Sequence, residues 1–129
     1  MILEPGTTDA PIASIREGLD RTIYPAGSTI FTEGETGAIA YILLRGDVTI
    51  FLRFGTDQQR VVTELKPGQM FGVHALMVGA QRAASAWTRN GCELLAISER
   101  RLKQKLDEAD PFLRYWVEYL SRRIIDLST

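Results

Sequence analysis

One short segment, FGVHALMVGAQRAAS at 71–85, combines residue types that could bind an anion. Gly72 would let a ligand approach the backbone closely, because glycine has no side chain. Phe71 to Gly79 is predicted to form one or two helical turns between strands, and the free N–H groups at a helix start attract negative charge. Arg82 would supply a forked cation that suits a phosphate. These parts predict a phosphate-binding cradle; alternatively, Gly72 only makes a turn and Arg82 is a solvated side chain.

Candidates for catalytic chemistry are few. His74 is the only histidine, whereas a cupin-type metal site uses several histidines and a carboxylate. Cys92 directly precedes a predicted strand and lacks a local nucleophile signature, so we expect a buried structural thiol. The sequence contains neither a Walker-type phosphate loop nor a dinucleotide fingerprint. We therefore expect a non-catalytic domain that holds no metal and no other cofactor.

The segment lies within a region of predicted short strands, where turn signals recur from Pro25 to Gly91. In the clearest strand, one face carries Val48, Ile50, Leu52 and Phe54, and the other carries Thr49, Phe51 and Arg53. Comparable strands are predicted at Ala40 to Leu44, Val61 to Leu65 and Leu94 to Ile97. Many short strands separated by turns predict a mainly β, antiparallel, jelly-roll-like β-roll.

Helices are predicted at both ends of the roll. The first 18 residues are expected to form a helical segment, in which Asp9 can cap the helix. Ser98 can cap a helix that carries Leu102 and Leu106, and Asp110-Pro111 can start a last helix. We expect a single domain over 1–129, divided into an N-terminal helical segment (1–18), the β-roll (19–98) and two C-terminal helices (99–129).

Composition and charge narrow the function classes. The 129 residues carry 15 Lys and Arg against 16 Asp and Glu, a net charge of −1, which lacks the basic excess of a general nucleic-acid binder. The longest run without glycine or a polar residue is Ala38 to Leu44, far short of the roughly 20 residues of a membrane span. The single cysteine favours a reducing compartment. We expect a cytoplasmic protein without a membrane span.

Several short motifs occur in a characteristic order along the chain. They are Tyr24-Pro25-Ala26-Gly27, Ile30-Phe31, Glu33-Gly34-Glu35, Tyr41-Ile42-Leu43-Leu44, Leu65-Lys66-Pro67-Gly68-Gln69-Met70-Phe71-Gly72, Ala75-Leu76 and Arg82-Ala83-Ala84. In this order and spacing the chain resembles the cyclic nucleotide-binding domain superfamily, which includes the sensing half of catabolite activator proteins and of kinase regulatory subunits. The resemblance covers about Leu19 to Ile125.

The resemblance implies a phosphate-binding cassette and a set of ligand-binding residues. These are Phe71, Gly72, Val73, His74, Ala75, Leu76, Arg82, Ala83 and Ala84. Within the set, Arg82 would pair with the phosphate of cyclic AMP or cyclic GMP, and the backbone N–H groups near Gly72 and that of Ala83 would assist it.

Two positions depart from the family pattern. Val73 stands where the family has a glutamate for the ribose hydroxyl, and Ala83 stands where a serine or threonine commonly bonds the phosphate. The loss of both bonds would weaken a site by about 2–4.5 kcal/mol. We expect Val73→Glu to tighten cyclic AMP binding and the guanidinium of Arg82 to be free for an anion.

The last helix has a broad apolar stripe, and in the family's transcription factors this helix forms the dimer seam. The seam predicted here consists of Leu113, Trp116, Leu120, Ile124 and Leu127; alternatively, the stripe packs on the chain's own roll. No DNA contact is expected, because Ser98 to Thr129 carries seven Lys and Arg against six Asp and Glu.

The sequence leaves two functions open. The first is a regulatory domain that senses a cyclic nucleotide, or another phosphate-bearing small ligand, and signals through its C-terminal helices. The second is a degenerate member of the fold that no longer binds nucleotide and acts in dimerisation or protein docking.

Overall fold

A computed structural model describes residues 19–73 and 81–128, and the side chains of the last helix are described only for 111–120 and 123. The elements in chain order are β1 (Asp20–Tyr24), β2 (Thr29–Phe31), β3 (Ile39–Gly46), β4 (Val48–Leu52), β5 (Arg60–Leu65), β6 (Met70–Phe71), β7 (Ser85–Trp87), β8 (Cys92–Ser98), α1 (Glu99–Glu108) and α2 (Pro111–Ser128). The predicted N-terminal helix lies outside the described residues, and so does most of the predicted cassette helix.

The strands form two four-stranded antiparallel sheets. One has the order β1-β8-β3-β6 and the other β2-β7-β4-β5. The two sheets enclose a core in which Phe31, Tyr41 and Phe71 stack with ring centroids 5.3–6.3 Å apart. This architecture confirms the predicted antiparallel β-roll.

Strand β3 is buried on both faces. Tyr41 and Leu43 point into the core between the sheets, whereas Ala40 belongs to a separate apolar cluster with Ile97. Leu19, Val73 and Leu102 pack against these two residues. We call these five residues the α1 seat, because Leu102 belongs to helix α1.

The alternation predicted for β4 holds only to Leu52. Val48 and Ile50 contribute to the core as expected. Phe54, predicted on the same face, instead stacks on Phe51 of the opposite face, with ring centroids 4.5 Å apart. The strand ends at Leu52 and Arg53 takes a left-handed φ of 53°, so the side-chain alternation is lost before Phe54.

Both predicted C-terminal helices begin where their caps indicate. The Ser98 hydroxyl accepts a hydrogen bond from the Arg101 N–H at 3.2 Å, and the Asp110 carboxylate accepts one from the Phe112 N–H at 2.8 Å. Helix α1 contains no buried residue. Among the described side chains of α2, the large apolar ones at 112–120 are all at least 40% exposed.

Candidate functional site

The candidate site lies where β6 ends beside β3. Tyr41 of β3 pairs with Phe71 of β6, and Gly72 follows directly with a φ of 76°. That left-handed conformation strains any residue with a side chain, so a glycine is required there. Gly72 therefore makes a tight backbone turn at the end of β6.

Backbone hydrogen bonds hold Arg82 against the segment that contains Gly34 and Glu35. The Arg82 N–H donates to the Glu35 carbonyl at 2.7 Å, and the Arg82 carbonyl accepts from the Gly34 N–H at 2.8 Å. Its side chain then runs into the protein, where the residue is only 6% exposed. The alternative of a solvated arginine is therefore wrong.

Two backbone carbonyls hold the guanidinium of Arg82. Nη1 donates to the Gly72 carbonyl at 3.1 Å, and Nη2 donates to the Ile39 carbonyl at 2.7 Å. The guanidinium carbon also lies 4.0 Å from the centroid of the Phe31 ring, a cation–π contact. A Cβ atom at Gly37 would overlap Nε, so this glycine is needed for close packing. The expectation of a free guanidinium is thus wrong for the protein in this state.

The guanidinium donates its hydrogen bonds to neutral groups, while the Glu35 carboxylate acts on its charge through space. Its hydrogen-bond partners among the described residues are neutral carbonyls. Burial lowers the pKa of Arg82, while Tyr41 and then Glu35 act in the opposite direction. Burial also raises the pKa of Tyr41 to about 12, so this phenol is neutral near pH 7. A desolvated cation whose partners are uncharged favours the approach of an anion.

A cavity of about 170 Å³ opens beside this cation. It is lined by Phe31, Ile50, Phe71, Gly72, Arg82, Ala83 and Ala84. Five of the nine predicted site residues therefore come together. Sequence reasoning did not place Phe31 and Ile50 in the site, although Phe31 lies in a recognised motif and Ile50 lies on the inward face of the predicted β4.

Val73 lies close to the cavity but is not among the residues that line it. Its side chain packs in the α1 seat, against Ala40 and Ile97. The other predicted site residues, His74, Ala75 and Leu76, lie outside the described residues. Whether these four positions contact a ligand remains a prediction.

Several other features of the described chain bear on its chemistry. Cys92 is buried as predicted, and burial raises the pKa of its thiol. Within residues 19–73 and 81–128, no three His, Cys, Asp or Glu side chains lie close enough to hold a metal ion. No helix in this part of the chain is long and apolar enough to cross a membrane. A second groove is lined by residues that include Glu33, Arg53 and Ser85.

The chain is similar in sequence to proteins of one known family. The family model for the cyclic nucleotide-binding domain matches residues 21–109. The cAMP-activated global transcriptional regulator CRP of Haemophilus influenzae is 29% identical over 106 residues, which cover 81% of this chain and 47% of that protein. The cAMP-dependent protein kinase regulatory subunit of Aspergillus fumigatus is 31% identical over 102 residues, covering 79% of this chain and 24% of that protein.

A solved structure gives the same result for the fold. The catabolite activator protein of Thermus thermophilus superposes with a TM-score of 0.74 at 26% identity, over 95% of this chain and 58% of that chain. The chain thus spans less than half the length of these two curated relatives.

Proposed function

The chain belongs to the cyclic nucleotide-binding domain family, and from that premise we propose that it is a non-catalytic regulatory domain that binds a cyclic nucleotide at the Arg82 cavity. The observation that carries the proposal is the buried guanidinium beside an open cavity, with neutral carbonyls as its hydrogen-bond partners. The phosphate oxygens of a cyclic nucleotide would replace those carbonyls as charged acceptors. Occupancy would be reported through α1 and α2.

The size and lining of the cavity support a ligand whose phosphate faces Arg82. Pockets that enclose a drug-sized ligand measure roughly 300–1,000 Å³, so the described walls fit the phosphate end rather than a whole nucleotide. Phe31, Ile50 and Phe71 supply apolar surface around the cation. With Val73 and Ala83 at the two departing positions, we expect weak binding, and titrations must reach millimolar ligand.

The deciding experiment is a calorimetric titration of the purified chain with cyclic AMP and with cyclic GMP, using 5′-AMP as the non-cyclic comparison. We expect saturable binding of at least one cyclic nucleotide and its loss in Arg82→Ala. Arg60→Ala is the matched control, because it removes an exposed arginine that is not among the residues lining the cavity, and it should bind as the unmodified chain does. Absence of binding at millimolar ligand in a cooperatively melting protein would reject the proposal.

One observation favours a second function, homodimerisation through α2. Leu113, Trp116 and Leu120 of the predicted seam are 46–52% exposed, so the described part of the stripe is not absorbed by packing on the chain's own roll. A parallel or antiparallel pairing of two α2 helices would remove this apolar surface from water. A monomer at high micromolar concentration would reject this second function.

A further inference from the structure

The guanidinium of Arg82 also joins two backbone segments that are distant in sequence. Ile39, whose carbonyl accepts from Nη2, is 43 positions from Arg82, and Gly72, whose carbonyl accepts from Nη1, is 10 positions away. Each carbonyl belongs to the residue immediately before a member of the α1 seat. Ala40 follows Ile39, and Val73 follows Gly72.

Helix α1 depends on that seat for its apolar contact with the roll. No residue of α1 is buried, and Leu102 is its member of the apolar clusters in the described chain. Helix α1 has a second attachment to the same part of the roll. The Glu99 N–H donates to the carbonyl of Ala38 at 3.0 Å. The strand segment that Arg82 holds at Ile39 therefore adjoins both attachments of α1.

We propose that Arg82 is a clamp that couples the anion site to helix α1. With no anion bound, its two carbonyl bonds hold the backbone on each side of the α1 seat and keep Leu102 in place. An anion in the cavity competes for Nη1 and Nη2, withdraws the guanidinium from the carbonyls and loosens α1. This proposal rests on the proposed function only for the identity of the anion, since the clamp itself exists in the ligand-free protein.

The ligand-free arm of the test measures amide hydrogen exchange in α1. Arg82→Met removes both carbonyl bonds but keeps an apolar side chain against Phe31, so α1 amides should exchange at least about 5-fold faster, the lower end of typical couplings. Amides of β4 should keep their rates. Arg60→Met is the matched control and should change neither element. Unchanged α1 exchange in Arg82→Met, or an equal rise in α1 and β4, would overturn the clamp.

A second arm uses a variant that leaves Arg82 intact. Coupling is reciprocal, so if anion binding loosens α1, loosening α1 must strengthen anion binding. Leu102→Ala should therefore tighten cyclic AMP binding by about 5-fold or more, whereas Leu106→Ala, one turn along α1 and outside the seat, should not. Equal affinities for Leu102→Ala and the unmodified chain would overturn the coupling even if Arg82→Met fails to fold.

The two proposals fail in different ways. If the unmodified chain binds no cyclic nucleotide, the proposed function fails, and exchange in Arg82→Met without ligand still decides the clamp. If cyclic AMP binds and α1 exchange does not respond to it, the proposal of cyclic nucleotide binding stands and the clamp is rejected.

Discussion

Strand β3 and helix α2 are both rich in apolar residues, yet they differ completely in burial. From Ala40 to Leu44 every residue of β3 is at most 9% exposed. From Pro111 to Leu120 every residue of α2 except Arg114 is exposed, and Phe112 reaches 68%. The strand has a partner on each face, the core inside and the apolar clusters outside. The helix extends its apolar surface into solvent.

Because of this difference in burial, the same residue types have different effects in β3 and in α2. Apolar side chains in β3 stabilise the fold of one chain, because burial removes them from water during folding. Those in α2 can gain the same free energy only when another surface covers them, and large exposed apolar surfaces mark interaction sites. Burial, rather than composition, therefore distinguishes the apolar residues that stabilise the fold from those that another surface could cover.

The largest expected effect is a loss of stability from a substitution in the buried strand β3. Leu43→Ala removes a side chain that is 0% exposed, and we expect the free energy of unfolding to fall by about 2–5 kcal/mol in urea titrations. Leu113→Ala, the matched change in α2, should alter stability by no more than about 0.5 kcal/mol in dilute protein. Equal losses at both positions, independent of protein concentration, would mean that α2 packs on its own roll.

The next largest effect is expected on the proposed dimerisation through α2. Leu120→Glu places a charge in the predicted seam, and we expect the dimer dissociation constant to rise at least about 100-fold, near 2.8 kcal/mol, while the monomer stays folded. Sedimentation velocity from micromolar to millimolar protein measures this shift. Tyr115→Glu introduces the same charge on the opposite side of the helix and should leave the dimer intact. If both variants dissociate equally, the interface is not the predicted seam.

A smaller effect on stability is expected at position 73, which packs in the α1 seat and is also a predicted ligand contact. Because Val73 packs in the α1 seat, Val73→Glu should lower the free energy of unfolding by about 1–3 kcal/mol, as a carboxyl group is forced towards apolar neighbours. Val61→Glu, at a site already 52% exposed, should change it by less than about 0.5 kcal/mol. Unchanged stability together with tighter cyclic AMP binding would instead show that position 73 faces the ligand, as the sequence alone suggests.

The smallest effect at neutral pH is expected for Tyr41→Phe. Burial, and then neighbouring Tyr24, raise the pKa of Tyr41 from 10.0 to about 12. The unfolded chain therefore ionises first, so the stability contributed by the neutral phenol is present below pH 10 and is lost between pH 10 and 12. Chemical unfolding across this range should show a flatter decline in Tyr41→Phe than in the unmodified chain. Tyr119→Phe, on the exposed helix, should retain the full decline.

Several features of this protein follow from its sequence by itself. The order of motifs predicts the family, and the turn signals predict a roll of antiparallel strands. The caps at Ser98 and Asp110 predict the starts of both C-terminal helices. The turn and cap signals act within a few residues, through turn geometry or a capping hydrogen bond, and the motifs are short runs in a fixed order, so a linear sequence contains all of them.

The features that bear on mechanism depend on residues far apart in the chain. The hydrogen bond from Arg82 to the Ile39 carbonyl spans 43 positions. The packing of Val73 with Leu102 in the α1 seat joins a turn to a helix. Gly72 before a predicted short helix and Arg82 after it predict an anion site, but they do not indicate which carbonyls the guanidinium holds before an anion arrives. Likewise, the stripe on α2 indicates apolar surface, while its exposure depends on where the helix leaves the roll. Only the tertiary structure decides these contacts, because they arise from the packing of both sheets rather than from any local preference.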